Sequence, residues 1–94
     1  MRLSWRPRAV ADLVELRVYI AEDNPQAAAS VAARIGSSID NLASFPEIGR
    51  IGRVAGTREL VVPRTPYIVA YTVSRDEVVI LAVIHAARKW PERL

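Results

Sequence analysis

The apolar residues of this 94-residue chain change their spacing once, and the place of that change constrains the fold more than any other feature. Before Phe45 they recur at helical intervals; after Gly56 they run in short, strand-like blocks. In the first part Ala9, Leu13, Leu16 and Ile20 fall on one side of a helix, with Asp12, Glu15 and Arg17 turned toward water. The segment Glu22-Asp23-Asn24-Pro25 then breaks and restarts the pattern. Asn24 can cap a second helix, and Pro25 suits its first turn, where an N–H would have no partner anyway. The second stripe, Ala28, Val31, Ile35, Ile39 and Leu42, ends near Phe45-Pro46. Two amphipathic helices joined so tightly predict an antiparallel hairpin.

Ahead of the hairpin, Leu3 and Trp5 alternate with Arg2, Ser4 and Arg6 before Pro7, which predicts a short first strand. Residues 47–56 hold three of the four glycines together with Arg50 and Arg53 and no period, so they read as a charged loop. Strands are predicted over 57–62, 67–73 and 77–86, separated by Pro63-Arg64-Thr65-Pro66 and by a turn at Ser74-Arg75-Asp76. Connections this short favour an antiparallel meander. The last strand is apolar on both faces, which marks it as interior and covered on both sides, whereas Tyr67, Val69, Tyr71 and Val73 form one face. The expectation is one α+β domain over residues 1–94: an N-terminal strand, a helical hairpin, then a three-stranded antiparallel meander, with both helices on one face of the sheet.

Composition removes several functional classes. An apolar share of 51% with 24% charged residues is that of a folded chain, not a disordered one. The longest apolar run, residues 78–84, is far short of the roughly 20 residues of a membrane span, and Met-Arg-Leu-Ser-Trp is no secretion signal, so a cytoplasmic protein is expected. With no cysteine and one histidine, thiolate zinc sites, cysteine nucleophiles and histidine-rich metal sites are not expected, and no metal or cofactor is called for. Charge is spread unevenly. Up to Phe45 five arginines meet five acids; beyond it Arg50, Arg53, Arg58, Arg64, Arg75, Arg88, Lys89 and Arg93 face only five. Arginine supplies all but one of these cations, and its planar fork suits phosphates and carboxylates, although a solvated surface has the same composition.

Four stretches in order resemble the RelE/ParE toxins. They are Trp5-Arg6-Pro7-Arg8-Ala9 with Asp12-Leu13 and Tyr19-Ile20; Asn24-Pro25-Gln26-Ala27-Ala28; Phe45-Pro46-Glu47-Ile48-Gly49-Arg50 leading through Gly56-Thr57-Arg58-Glu59-Leu60 to Tyr67-Ile68-Val69-Ala70-Tyr71; and Val83-Ile84-His85-Ala86-Ala87-Arg88. No one stretch is specific, but their ordered coincidence is. The resemblance implies a toxin held by a cognate acidic antitoxin that also binds DNA and represses their shared operon, in a toxin-antitoxin hetero-oligomer.

Two targets follow from the resemblance. A ribosome-dependent ribonuclease would turn a ribose 2′-hydroxyl on the adjacent phosphate, with Glu59 as base, His85 as acid, and Arg50, Arg53, Arg58, Arg64 and Arg88 holding phosphate or ribosomal RNA. Arg58 and Glu59 are strand neighbours and should face opposite sides, so at most one can line such a site. Ile68 stands where those enzymes carry an arginine, and it can neither hold charge nor donate a hydrogen bond. The alternative is a noncatalytic poison of DNA gyrase, favoured by the apolar pair, histidine and basic stretch that close the last strand. There Arg50, Arg53, Arg58, Arg64, Arg88, Lys89 and Trp90 would bind target or antitoxin. A degenerate module that only binds antitoxin is the third reading. Each residue also has a plainer account: His85 packed in an apolar strand, Tyr67 and Tyr71 packed on the helices instead of stacking bases, Trp5 in the core, Trp90 a packed chain end.

Overall fold

The computed structural model describes all 94 residues. Along the chain they form β1 (Arg2–Trp5), α1 (Pro7–Asp23), α2 (Pro25–Leu42), β2 (Arg50–Ile51), β3 (Arg58–Val61), β4 (Tyr67–Ser74) and β5 (Glu77–His85). One residue closes α1 and opens α2. The Asn24 backbone N–H donates to the Ile20 carbonyl at 2.9 Å, while Asn24 Oδ1 accepts the Ala27 N–H at 3.0 Å. Pro25 then occupies the first turn of α2, where its missing donor costs nothing.

The strands form one sheet in the order β1-β5-β4-β3-β2. Its centre is the expected antiparallel meander of β3, β4 and β5. Two features differ from the sequence reading. Residues 47–56 are not wholly loop: Arg50 and Ile51 pair with Glu59 and Arg58 as a fifth, edge strand. Two residues are too short to carry a period, which is why the pattern did not reveal them. The sheet is also mixed, because β1 lies parallel to β5 at its outer edge, with Arg2 opposite Glu77 and Trp5 opposite Ile80.

The hairpin covers one face of this sheet. Ala9 and Leu16 of α1 and Ile35, Ile39 and Leu42 of α2 close over Tyr67, Val69 and Tyr71 of β4 and Val78, Ile80 and Val83 of β5. Trp5 packs against the rim of the same cluster. Both tyrosines are therefore core residues and not an open stacking platform. On the far face Ala70, Ala82 and Ile84 are covered by Trp90 and Leu94 of the C-terminal tail, so β5 is buried on both sides as its composition requires. Leu81 is an extra residue in β5, since Tyr71 pairs with Ile80 but Ala70 with Ala82. That bulge changes the parity of the strand, and so brings Val78 and Ile80 to the helix side together with Val83. No helix is long and apolar enough to cross a membrane.

Candidate functional site

The short strand β2 sets Arg50 directly opposite Glu59, and residues in register share a face of the sheet. Glu59 is 3% exposed, yet its carboxylate is fully provided for. Oε1 accepts from Arg50 Nε at 3.2 Å, Arg50 Nη2 at 2.9 Å and Arg53 Nη2 at 3.2 Å; Oε2 accepts from the Arg53 backbone N–H at 2.7 Å and Arg53 Nε at 3.1 Å. Burial by itself pushes the carboxyl upward. The bonds from the Arg53 side chain and backbone and from the Arg50 side chain outweigh it and hold the group below its ordinary value of 4.5. Glu59 is thus an anion with its lone pairs taken, the reverse of what a proton-accepting base needs.

Arg53 makes a second contact. Its guanidinium carbon stands 3.8 Å from the centroid of the Trp90 ring, which rests on the apolar far face of the sheet. The Trp90 indole N–H is buried without an acceptor, so the ring is held by stacking and packing alone. Trp90 is accordingly a packed chain end that also receives a cation. No pattern in the sequence could have joined it to Arg53, because the pairing depends on how the tail folds back.

Arg58 faces the other way, as alternation requires. It lies opposite Tyr71 and donates from Nη1 to the carbonyls of Gly49 at 2.8 Å and Glu47 at 3.3 Å. Tyr71 is fully buried and works from the same side: its hydroxyl donates to the Pro46 carbonyl at 2.8 Å and accepts the Gly49 N–H at 2.9 Å. A Cβ on Gly49 would sit 2.5 Å from the Tyr71 hydroxyl oxygen, so only glycine allows this approach. Burial raises the Tyr71 pKa, so the hydroxyl keeps the proton that it donates. Arg58 and Tyr71 together pin the segment that leads into β2.

His85 lies opposite Tyr67, whose ring it meets edge-on at 5.4 Å and 82°. Its Nδ1 accepts the Ala87 N–H at 3.0 Å, which puts the ring proton on Nε2 in the neutral form. A groove of about 660 Å³ opens here between α1 and the end of β5, lined by Arg8, Tyr19, Tyr67, His85, Arg88 and Lys89. On its wall Asp12 accepts the Val83 N–H at 2.9 Å and lies 3.5 Å from Arg8 Nε. Asp12 thereby caps the outer edge of β5 beyond the end of β1; nothing in the helical pattern marks that role.

The sequence-predicted residues therefore fall in separate places. Glu59 shares the far face with Ala70 and Ala82, whereas His85 shares the helix face with Tyr67. The sheet stands between them. Ile68, also on the far face, is buried opposite Ile84. Arg50, Arg53 and Trp90 cluster around Glu59; Arg88 and Lys89 line the groove beside His85. Arg64 sits apart in the β3–β4 turn at φ 60°, beside Arg34 of α2. No three His, Cys, Asp or Glu side chains are grouped so as to hold a metal ion.

A helical hairpin on one face of a small mixed sheet, with a basic second half of the chain, defines the class of the RelE/ParE-type toxins. The chain belongs to the ParE toxin family of parDE type II toxin-antitoxin systems, whose family model matches residues 3–90. Y4kP of Sinorhizobium fredii is 50% identical over 93 residues, which is 99% of this chain and 96% of that protein. Toxin RelE2 of Caulobacter vibrioides is 44% identical over 84 residues, covering 89% and 93%. A chain from the solved chromosomal ParDE TA system of P. aeruginosa superposes with a TM-score of 0.80 at 27% identity, over 90% of this chain and 95% of that one.

Proposed function

We propose that this chain arrests growth in the cytoplasm by binding DNA gyrase, without breaking a bond itself, and that a cognate acidic, operon-repressing antitoxin neutralises it. The observation that carries the reading is the separation of Glu59 from His85 by the thickness of the sheet. Attack of a 2′-hydroxyl on its neighbouring phosphate needs base and acid around one phosphorus atom. The only buried carboxylate of the chain is spent on two arginines, and its face offers Ile68 where a phosphate-binding cation would be wanted. The exposed cations, Arg50, Arg53, Arg64, Arg88 and Lys89, then serve binding, and Arg58 shapes the β2 segment. An acidic partner suits the basic second half of the chain, and the similar P. aeruginosa chain comes from a ParDE toxin-antitoxin system.

The test is induced expression without antitoxin of the wild type, Glu59→Gln and His85→Ala, each checked for folding by circular dichroism. Growth is scored while purified protein is assayed against gyrase supercoiling. Arrest and inhibition that persist in both variants support the proposal. Codon-specific cuts in translated messages that vanish in either variant would replace it with ribosome-dependent cleavage. No arrest at all would leave an antitoxin-binding module.

A further inference from the structure

The turn between β3 and β4 holds a residue that its backbone does not favour. The Thr65 N–H donates to the Val62 carbonyl at 3.3 Å across Pro63 and Arg64, and Arg64 takes φ 60°. A turn with proline second and a left-handed third residue ordinarily has glycine or asparagine in that third place, because a Cβ there crowds the backbone. The turn is pinned nonetheless: Thr65 Oγ1 donates to the Val62 carbonyl at 3.1 Å and accepts the Tyr67 N–H at 3.1 Å. Arginine is strained in such a place, and the fold does not use its guanidinium, since Arg64 is exposed and enters no ion pair of the chain.

Arg64 lines an open cavity of about 360 Å³ together with α2. The helix contributes Ser30, Arg34, Ser37 and Ser38, whose spacing puts them on one stripe. Arg34 enters no ion pair either, and Asp40, the only acid of α2, does not line the cavity. Two cations and three hydroxyls thus border one space with no carboxylate to balance them. Like charges so placed favour an anion between them, and forked guanidinium donors beside serine hydroxyls match the oxygens of a phosphate. No aromatic ring lines the cavity, so unpaired bases would find nothing to stack on. Apart from Arg34 the stripe is of short side chains, which lets a sugar-phosphate backbone come close to the helix. These features together suit the outside of a duplex and not a single strand.

We propose that Arg34 and Arg64, with the serine hydroxyls between them, hold a backbone phosphate of duplex DNA. The choice of DNA rests on the gyrase reading above, because duplex DNA is what that enzyme carries. A contact of this kind positions the duplex without reading its sequence. The cavity shares no residue with the groove beside His85 or with the Glu59 cluster, so contact with DNA and contact with protein can be altered separately.

Fluorescence anisotropy of a short labelled DNA duplex, titrated with the purified chain at several salt concentrations and with no gyrase present, tests this. The expected result is binding that is indifferent to sequence. Arg34→Gln and Arg64→Gly should each lower the slope of log affinity against log salt by about one, and the double variant by about two. Arg64→Gly should not lower the urea midpoint, because glycine adopts φ 60° freely, so its weaker binding cannot be put down to a damaged fold. Arg75→Gly is the control: it removes the same charge and another left-handed residue, φ 47°, at the other end of β4, and should leave the slope nearly unchanged. A wild type that does not bind the duplex overturns the proposal, as do cavity variants whose slopes fall no further than that of Arg75→Gly. Tighter binding to an RNA duplex of the same sequence also overturns it and gives the cavity to RNA. Since gyrase is absent, a positive result stands even where supercoiling is never inhibited, and the two readings fail separately.

Discussion

The guanidinium of Arg53 lies over the ring of Trp90, its carbon 3.8 Å from the ring centroid, and this contact ties the loop after β2 to the C-terminal tail. The Trp90 indole N–H has no acceptor, so this contact and the packing on Ala70, Ala82 and Ile84 hold the ring in place. Arg53→Leu removes this cation, for about 0.5–2 kcal/mol of tail closure, and with it two side-chain bonds to Glu59, so β3 should loosen as well. Hydrogen exchange is expected to rise in residues 86–94 while β4 and β5 keep their protection; equal acceleration throughout would mean that the tail is not an independent unit.

Glu59 makes the folded state acid-sensitive. Its folded pKa lies below 4.5, so its contribution to stability is present above pH 4.5 and is lost as pH falls through the lower, folded value. Glu59→Gln should destabilise the protein by about 1.5–3 kcal/mol at pH 7, since charge-assisted bonds to two arginines are lost. Urea titrations should show the gap between wild type and variant shrinking below pH 4. A constant gap from pH 7 to pH 3 would contradict the assignment.

Tyr71 and Gly49 test how the entry to β2 is held. Tyr71→Phe leaves the Pro46 carbonyl and the Gly49 N–H without their partner and should cost about 1–3 kcal/mol. Gly49→Ala should cost more, because the added carbon meets the ring and hydroxyl of a fully buried side chain. Chemical denaturation orders the two; Tyr71→Phe in the Gly49→Ala background should recover part of the loss if the clash is with the hydroxyl.

Asp12→Ala should uncover the outer edge of β5. The Val83 N–H would lose its acceptor, for about 1–2 kcal/mol, and an unpaired strand edge would face solvent. Light scattering at increasing concentration is expected to show earlier aggregation than in the wild type. Asp12→Asn, which retains a side-chain oxygen, should behave close to normally.

Most of the architecture was legible because local physics and tertiary structure agree in it. The Asn24-Pro25 break, both buried helix stripes and the meander follow from capping, periodicity and short turns. What escaped depends on distance along the chain. The parallel seat of β1 against β5 joins residues about 75 positions apart, and nothing in Leu3 or Trp5 states parallel or antiparallel. The edge strand Arg50–Ile51 exists because Glu59 is opposite, not because its own residues favour extension. The candidate site was legible as a set of residues and illegible as an arrangement. That Arg58 and Glu59 diverge was clear from alternation; that Glu59 and His85 stand on opposite faces required the register of β4 against both its neighbours.

The placing of β1 has a consequence for the birth of the protein. Arg2 is made 75 positions ahead of its strand partner, Glu77. The helices can form as soon as they emerge, but the sheet edge closes only when β5 is available, and long-range closure of this kind is slow. A nascent chain of this design cannot complete its fold while its C-terminal strand is still unsynthesised.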